Sequence, residues 1–213
     1  MKRRLISSFP SPHAFTLVET LVAIAILLVV VVTPYYAADR ALVASAIARD
    51  ELLANMLGQQ AIENVRSIRD SNFLSAYQGS GATDWMSGLD GNGGPQCFSP
   101  NFCTIGTSPL TGAVTVQSCS GGSCSSTPLY EGSASAQSYP YFFNQAYQGT
   151  QTPYVRSIQI FCVSKTASQA GCVPSTASEV EVVSTVQWTS NIAASKTYSI
   201  EVDDFIDNWL SAS

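Results

Sequence analysis

The chain has 213 residues, of which 12% are charged, about half the usual share. The formal net charge is −5, and without Lys2, Arg3 and Arg4 seven basic residues face fifteen acidic ones, giving −8. That balance argues against a general basic surface for nucleic acid, and the length suits one ordinary domain plus an anchor.

The chain begins MKRRLISSFPSPHA, basic at first and then polar with prolines. Next comes Phe15–Ala38, FTLVETLVAIAILLVVVVTPYYAA, apolar except for one early carboxylate, Glu19. The 22 residues from Phe15 to Tyr36 span roughly 33 Å as a helix, enough for the hydrocarbon core of a bilayer. The positive charge of Met1–Arg4 keeps the N-terminus cytoplasmic and sends the rest outward. A secretory signal peptide has a shorter apolar core and a small-x-small cleavage site, whereas Tyr36-Ala37-Ala38 carries a bulky ring there. A plain signal anchor accounts for the length and the charge but not for Glu19. An acid at the centre of a bilayer costs roughly 2.5–3.5 kcal/mol, so Glu19 needs a partner.

The string Ala14-Phe15-Thr16-Leu17-Val18-Glu19, followed by apolar residues, resembles the processing site of type IV pilins and type II secretion pseudopilins. The resemblance covers about the first 60 residues. It implies a leader, residues 1–14, cut off by a prepilin peptidase between Ala14 and Phe15, with N-methylation of the new amino group of Phe15. Where the family has glycine before the cut, this chain has Ala14. Thr16, Leu17 and Val18 complete the recognition sequence. Glu19 becomes the fifth residue of the mature chain. By the same resemblance it meets the Phe15 amino group of a neighbouring subunit, and that contact sets the axial register of a filament. A carboxylate and an ammonium are each unstable alone in hydrocarbon and attract strongly when paired.

Helical patterning continues past residues 15–38, the membrane and filament-core segment, into residues 39–76. Pro34 removes one backbone donor and is a possible hinge between two helices. Beyond it Leu42, Ala46, Leu53, Leu57, Ala61, Val65 and Ile68 form one apolar face, with Glu63/Arg66 and Arg66/Asp70 as surface neighbours. The expectation is one long helix from about Phe15 to Leu74, weakened by about 1 kcal/mol at Gly58. Gln60–Asp70 also resembles, more loosely, the junction between helix and head in minor pilin-like proteins.

Residues 77–153 are rich in Gly, Ser, Thr, Pro, Gln and Asn, with short strands expected at Ala113–Gln117, Leu129–Glu131 and Tyr139–Phe143. Six cysteines, Cys97, Cys103, Cys119, Cys124, Cys162 and Cys172, all follow the apolar run, as an oxidising extracytoplasmic domain requires. Nearest-neighbour disulfides are the simplest pairing among the fifteen that six cysteines allow. No spacing matches a zinc or redox motif, and the single histidine, His13, lies in the leader. Asp84, Asp90 and Asn92 in DWMSGLDGNGG read as an ordinary turn rather than a calcium loop. Asp203, Asp204 and Asp207 read as a solvated edge in preference to calcium ligands.

Residues 154–213 give three alternating strands, Tyr154–Val163, Glu179–Trp188 and Lys196–Phe205, joined as an antiparallel meander. Val180, Val182, Val186 and Trp188 share one face, as do Tyr198, Ile200 and Val202. The second half of the long helix is the cover for that face, and Phe205, Ile206, Trp209 and Leu210 are expected to close its end. The fold class is therefore α+β, a pilin-like long helix packed on an antiparallel sheet head. No G-x-S-x-G or Walker loop occurs, so neither catalysis nor a cofactor or metal is expected. The resemblance implies a filament subunit, and a head larger and more cysteine-rich than assembly demands looks like that of a minor one. Its partners would be other pilin or pseudopilin subunits, the prepilin peptidase, an inner-membrane assembly platform and the lipid bilayer. The alternative is a membrane-anchored extracellular adhesion or binding domain that never polymerises.

Overall fold

The computed structural model describes residues 16–79, 84–91, 96–107, 113–119, 124, 127–132, 141–143, 150–163, 177–190 and 196–209. The chain divides into two compact units, residues 1–46 and residues 47–213. One helix, α1 (Leu17–Tyr77), runs through the boundary, and Pro34 lies inside it. Among the described residues seven strands follow: β1 (Cys103–Thr107), β2 (Val114–Ser118), β3 (Pro128–Gly132), β4 (Tyr141–Phe143), β5 (Thr150–Cys162), β6 (Glu179–Ser190) and β7 (Lys196–Asp207).

These strands form one antiparallel sheet with β5 at its centre. On one edge β5 pairs with β6, from Tyr154 opposite Trp188 to Cys162 opposite Val180, and β6 pairs in turn with β7. The other edge of β5 is shared. Its first half pairs with β3, Ile158 pairs with Cys103 of β1, and Phe98 bridges to Ile160. Period-two patterning decides which face is covered. Thr152, Tyr154, Arg156, Ile158 and Ile160 of β5 are buried, as are Val180, Val182, Ser184, Val186 and Trp188 of β6.

The cover is the second half of α1, whose buried residues are Ala54, Leu57, Gly58, Ala61, Ile62, Val65 and Phe73. Leu42, expected on this face, is 73% exposed. Gly58 has a positive role that its helix propensity conceals. A Cβ built there would lie 2.9 Å from Cγ2 of Val202 on β7, so the missing side chain lets the helix approach the sheet. Arg156 fastens the same layer. Its guanidinium is fully buried and donates through Nη1 to the Leu57 carbonyl (2.8 Å) and to Gln60 Oε1 (3.1 Å), and through Nη2 to the Ile105 carbonyl. Desolvation pulls its pKa below the ordinary arginine value. Tyr154 adds a third tie, its hydroxyl donating to Asp50 Oδ1 at 3.3 Å. Burial, and then the Asp50 charge, push the Tyr154 phenol up to about 12.

Several sequence expectations shift in detail. The strand β1 is an addition to the expected set: Cys103, Thr104, Ile105 and Gly106 are all buried, so the segment has no alternation to mark it. The central strand begins at Thr150, four residues before the expected start, and runs through the exposed Pro153. Ile206 is buried, but Phe205 and Trp209 stay 51% and 58% exposed, so they do not close the core. Trp209 instead lies edge-on to Phe73 with 4.7 Å between ring centres. Leu210 lies outside the described residues.

Two outcomes follow from this packing. Gly58→Ala should lower stability despite its better helix propensity, by about 1–3 kcal/mol for an overpacked contact, and Val202→Ala should relieve part of that loss. Denaturant unfolding of the two single variants and the double variant measures it, and additive losses would contradict the contact. The raised Tyr154 pKa favours the folded state fully below pH about 10, and that contribution disappears as pH rises to about 12. Tyr154→Phe should therefore flatten the alkaline fall in the denaturant midpoint across this window. Equal slopes in the two proteins would contradict the assignment.

Candidate membrane and assembly segment

The first turn of α1 is built by Thr16. The Glu19 amide is shared between the Thr16 hydroxyl (3.3 Å) and the Thr16 carbonyl (3.0 Å), and the Thr20 amide reaches the same carbonyl at 3.3 Å. Thr16 is thus the N-cap, and Glu19 stands three residues on, where an acid is favoured by the exposed amides and dipole of the helix start. T-x-x-E ahead of an apolar run is also a capping-box signature, beside the recognition role of Thr16 and the register role of Glu19 that the resemblance implies. Ala14 and Phe15 lie outside the described residues, as does His13.

Beyond Glu19 the helix is apolar on every side. Val22, the least exposed of its large apolar residues from Leu17 to Val32, keeps 52% of its surface open. The helix is long and apolar enough to cross a membrane, and none of its most apolar stretch is buried within the protein. Hydroxyls inside this run turn back onto the backbone. Thr20 donates to the Leu17 carbonyl (2.9 Å) and Thr33 to the Val29 carbonyl (2.6 Å), so neither presents an unpaired donor to an apolar surrounding. The run ends at Tyr35 and Tyr36. There Arg40 donates to the Tyr36 hydroxyl from Nε (3.1 Å) and Nη2 (2.7 Å) and places its guanidinium carbon 5.1 Å from the ring centre.

The other candidate residues lie in the second unit. Cys97 is bonded to Cys103 and Cys119 to Cys124, each pair with 4.9 Å between Cα atoms. Cys162 is also in a disulfide, and Cys172 lies outside the described residues. Asp84 accepts the Met86 amide through Oδ1 (3.0 Å), and Asn72 of α1 holds this turn by donating to the carbonyls of Trp85 (3.1 Å) and Ser87 (2.9 Å). Asp90 bridges to Gln96 through the backbone, while Asn92 lies outside the described residues. The three late acids separate. Asp203 and Asp207 are exposed, and Asp204 pairs with Arg66 of α1, which also holds Glu63. Among the described residues no three His, Cys, Asp or Glu side chains converge on a metal position.

Residues 11–33 match the family model of the prokaryotic N-terminal methylation motif. This is the type IV pilin and pseudopilin signal. The match ends one residue before Pro34 and so contains the N-cap, Glu19 and most of the uncovered apolar helix. The pilin-type signal indicates a structural precursor rather than an enzyme, and it implies processing by a prepilin peptidase and assembly with other pilin subunits. No curated protein and no solved structure matches the chain.

Proposed function

We propose that this chain is the precursor of a minor pilin or pseudopilin, a structural subunit of a type IV pilus-like or type II secretion-like filament. The observation that carries the reading is the methylation motif at residues 11–33 running into a capped helix whose large apolar side chains are exposed. Residues 1–14 are the leader, residues 15–38 the membrane and filament-core segment, and residues 39–76 the half of the helix that carries the head. Residues 77–153 and 154–213 make up that head. The prepilin peptidase cuts between Ala14 and Phe15 and methylates the Phe15 amino group. Before assembly the subunit is a single-pass protein of the inner membrane with its N-terminus cytoplasmic and its head outside. An inner-membrane platform then lifts it into a cell-surface or periplasmic filament.

The assembly chemistry follows from the two surroundings of the helix. In the bilayer the apolar side chains face lipid. In the filament they face the same segment of neighbouring subunits, which replaces one apolar contact by another. That exchange is nearly neutral for Leu, Ile and Val and supplies no register. Glu19 supplies it, because a carboxylate moved into an apolar bundle is stable only beside a cation, and the Phe15 amino group of the next subunit is that cation.

The test is Glu19→Val, expressed with the peptidase and the remaining filament machinery. The leader should still be removed, since the scissile bond is untouched, while the variant should be absent from sheared filaments. Normal incorporation of Glu19→Val would remove the pairing from the account.

A further inference from the structure

The end of the apolar run is built as carefully as its start. Tyr35 and Tyr36 are 79% and 58% exposed, and they are the first polar-tipped rings after the stretch of Leu, Ile, Val and Ala. Arg40 folds back one turn onto Tyr36, using Nε and one Nη2 proton on its hydroxyl and laying its cation against the ring. A guanidinium has five N–H donors, so this grip leaves three of them outside the contact. Among the described residues Arg40 forms no ion pair. An aromatic ring of amphipathic character, a planar cation pinned above it and an apolar helix directly below form an arrangement suited to one partner. That partner is the phosphate layer of a bilayer, where the ring sits at headgroup level and the guanidinium takes phosphate oxygens bidentately.

On the reading of this chain as a membrane-inserted precursor, we propose that Tyr36 and Arg40 are a lipid-phosphate anchor that fixes the depth of the helix, in the leaflet away from the N-terminus. The depth has a consequence for Glu19. The 17 residue steps from Glu19 to Tyr36, at ~1.5 Å each, place them about 26 Å apart along the axis. A hydrocarbon core is about 30 Å thick. With Tyr36 held at one boundary, Glu19 stands within about one helical turn of the other boundary, not at the bilayer centre. There its carboxylate keeps contact with water and headgroups, and the insertion cost expected for a central acid does not arise. The anchor thus holds the carboxylate close to the cytoplasmic face until a neighbour's amino group takes over.

The depth is measured on the full chain in vesicles of phosphatidylethanolamine and phosphatidylglycerol, with a nitroxide attached at Val30→Cys. Its accessibility to oxygen and to a water-soluble nickel chelate reports its distance from the headgroups. Replacing the anchor by Tyr36→Leu with Arg40→Ala should let the helix slide until Asp39 meets the boundary, carrying the label about 5 Å deeper, one helical turn. Tyr36→Trp with Arg40→Lys should keep the original depth. In vesicles of a phosphate-free galactolipid the unchanged and Leu/Ala anchors should give the same depth. A chain that floats with phospholipid vesicles but shows one label depth with either anchor overturns the proposal. A chain with the native anchor that fails to float with vesicles overturns the membrane reading itself, and the anchor with it.

Discussion

The twelve large apolar side chains from Leu17 to Val32 are each more than half exposed, and the chain's behaviour depends on that fact. Burying one such side chain is worth roughly 1.5–3 kcal/mol, so leaving all of them in water is not a stable arrangement. A soluble helix answers this with a polar face. This one has none between Glu19 and Tyr35. Backbone groups in the same stretch are satisfied by the helix itself, and Thr20 and Thr33 hide their hydroxyls on it. The segment is therefore complete in every respect except for its surroundings, and a bilayer is a surrounding that fits it.

The second half of α1 answers a different demand. It buries one face on the sheet, and the closeness of that contact rests on an absent side chain, Gly58, and a fully buried one, Arg156. Arg156 joins α1, β1 and β5 through carbonyls and Gln60, without a carboxylate, so the core is specified by hydrogen-bond geometry as well as by apolar volume. Arg66 does the same at the surface, linking the helix to Asp204. On the proposed reading these ties keep the head in place on its helix while the other half exchanges lipid for neighbouring subunits.

Periodicity made much of this legible. Two-residue alternation marked β6 and β7, because each has one covered face, and the long helix was visible from its unbroken apolar pattern. What stayed hidden is what periodicity does not encode. The strand β1 is buried on both faces and built of Cys, Thr, Ile and Gly, so it looked like loop. Gly58 read as a weak helix position because propensity is local, whereas its reason, Val202, lies on the last strand. Arg156 carries no such signal, since nothing near it in sequence announces three acceptors on two other elements, α1 and β1. In the membrane segment Glu19 stood out at once as an acid in an apolar run. The capping role of Thr16 and the Tyr36–Arg40 pair did not, although a cap three residues before an acid and an arginine one turn after a tyrosine are both patterns that sequence can show.

On the proposed reading Glu19 belongs in this helix because processing creates its partner. The direct measurement is the intact mass of the N-terminal fragment, taken from protein produced alongside a matching prepilin peptidase. The account predicts loss of residues 1–14 and one added methyl group on Phe15. A chain that retains Met1 under those conditions, with the peptidase active on its own substrate, would contradict it.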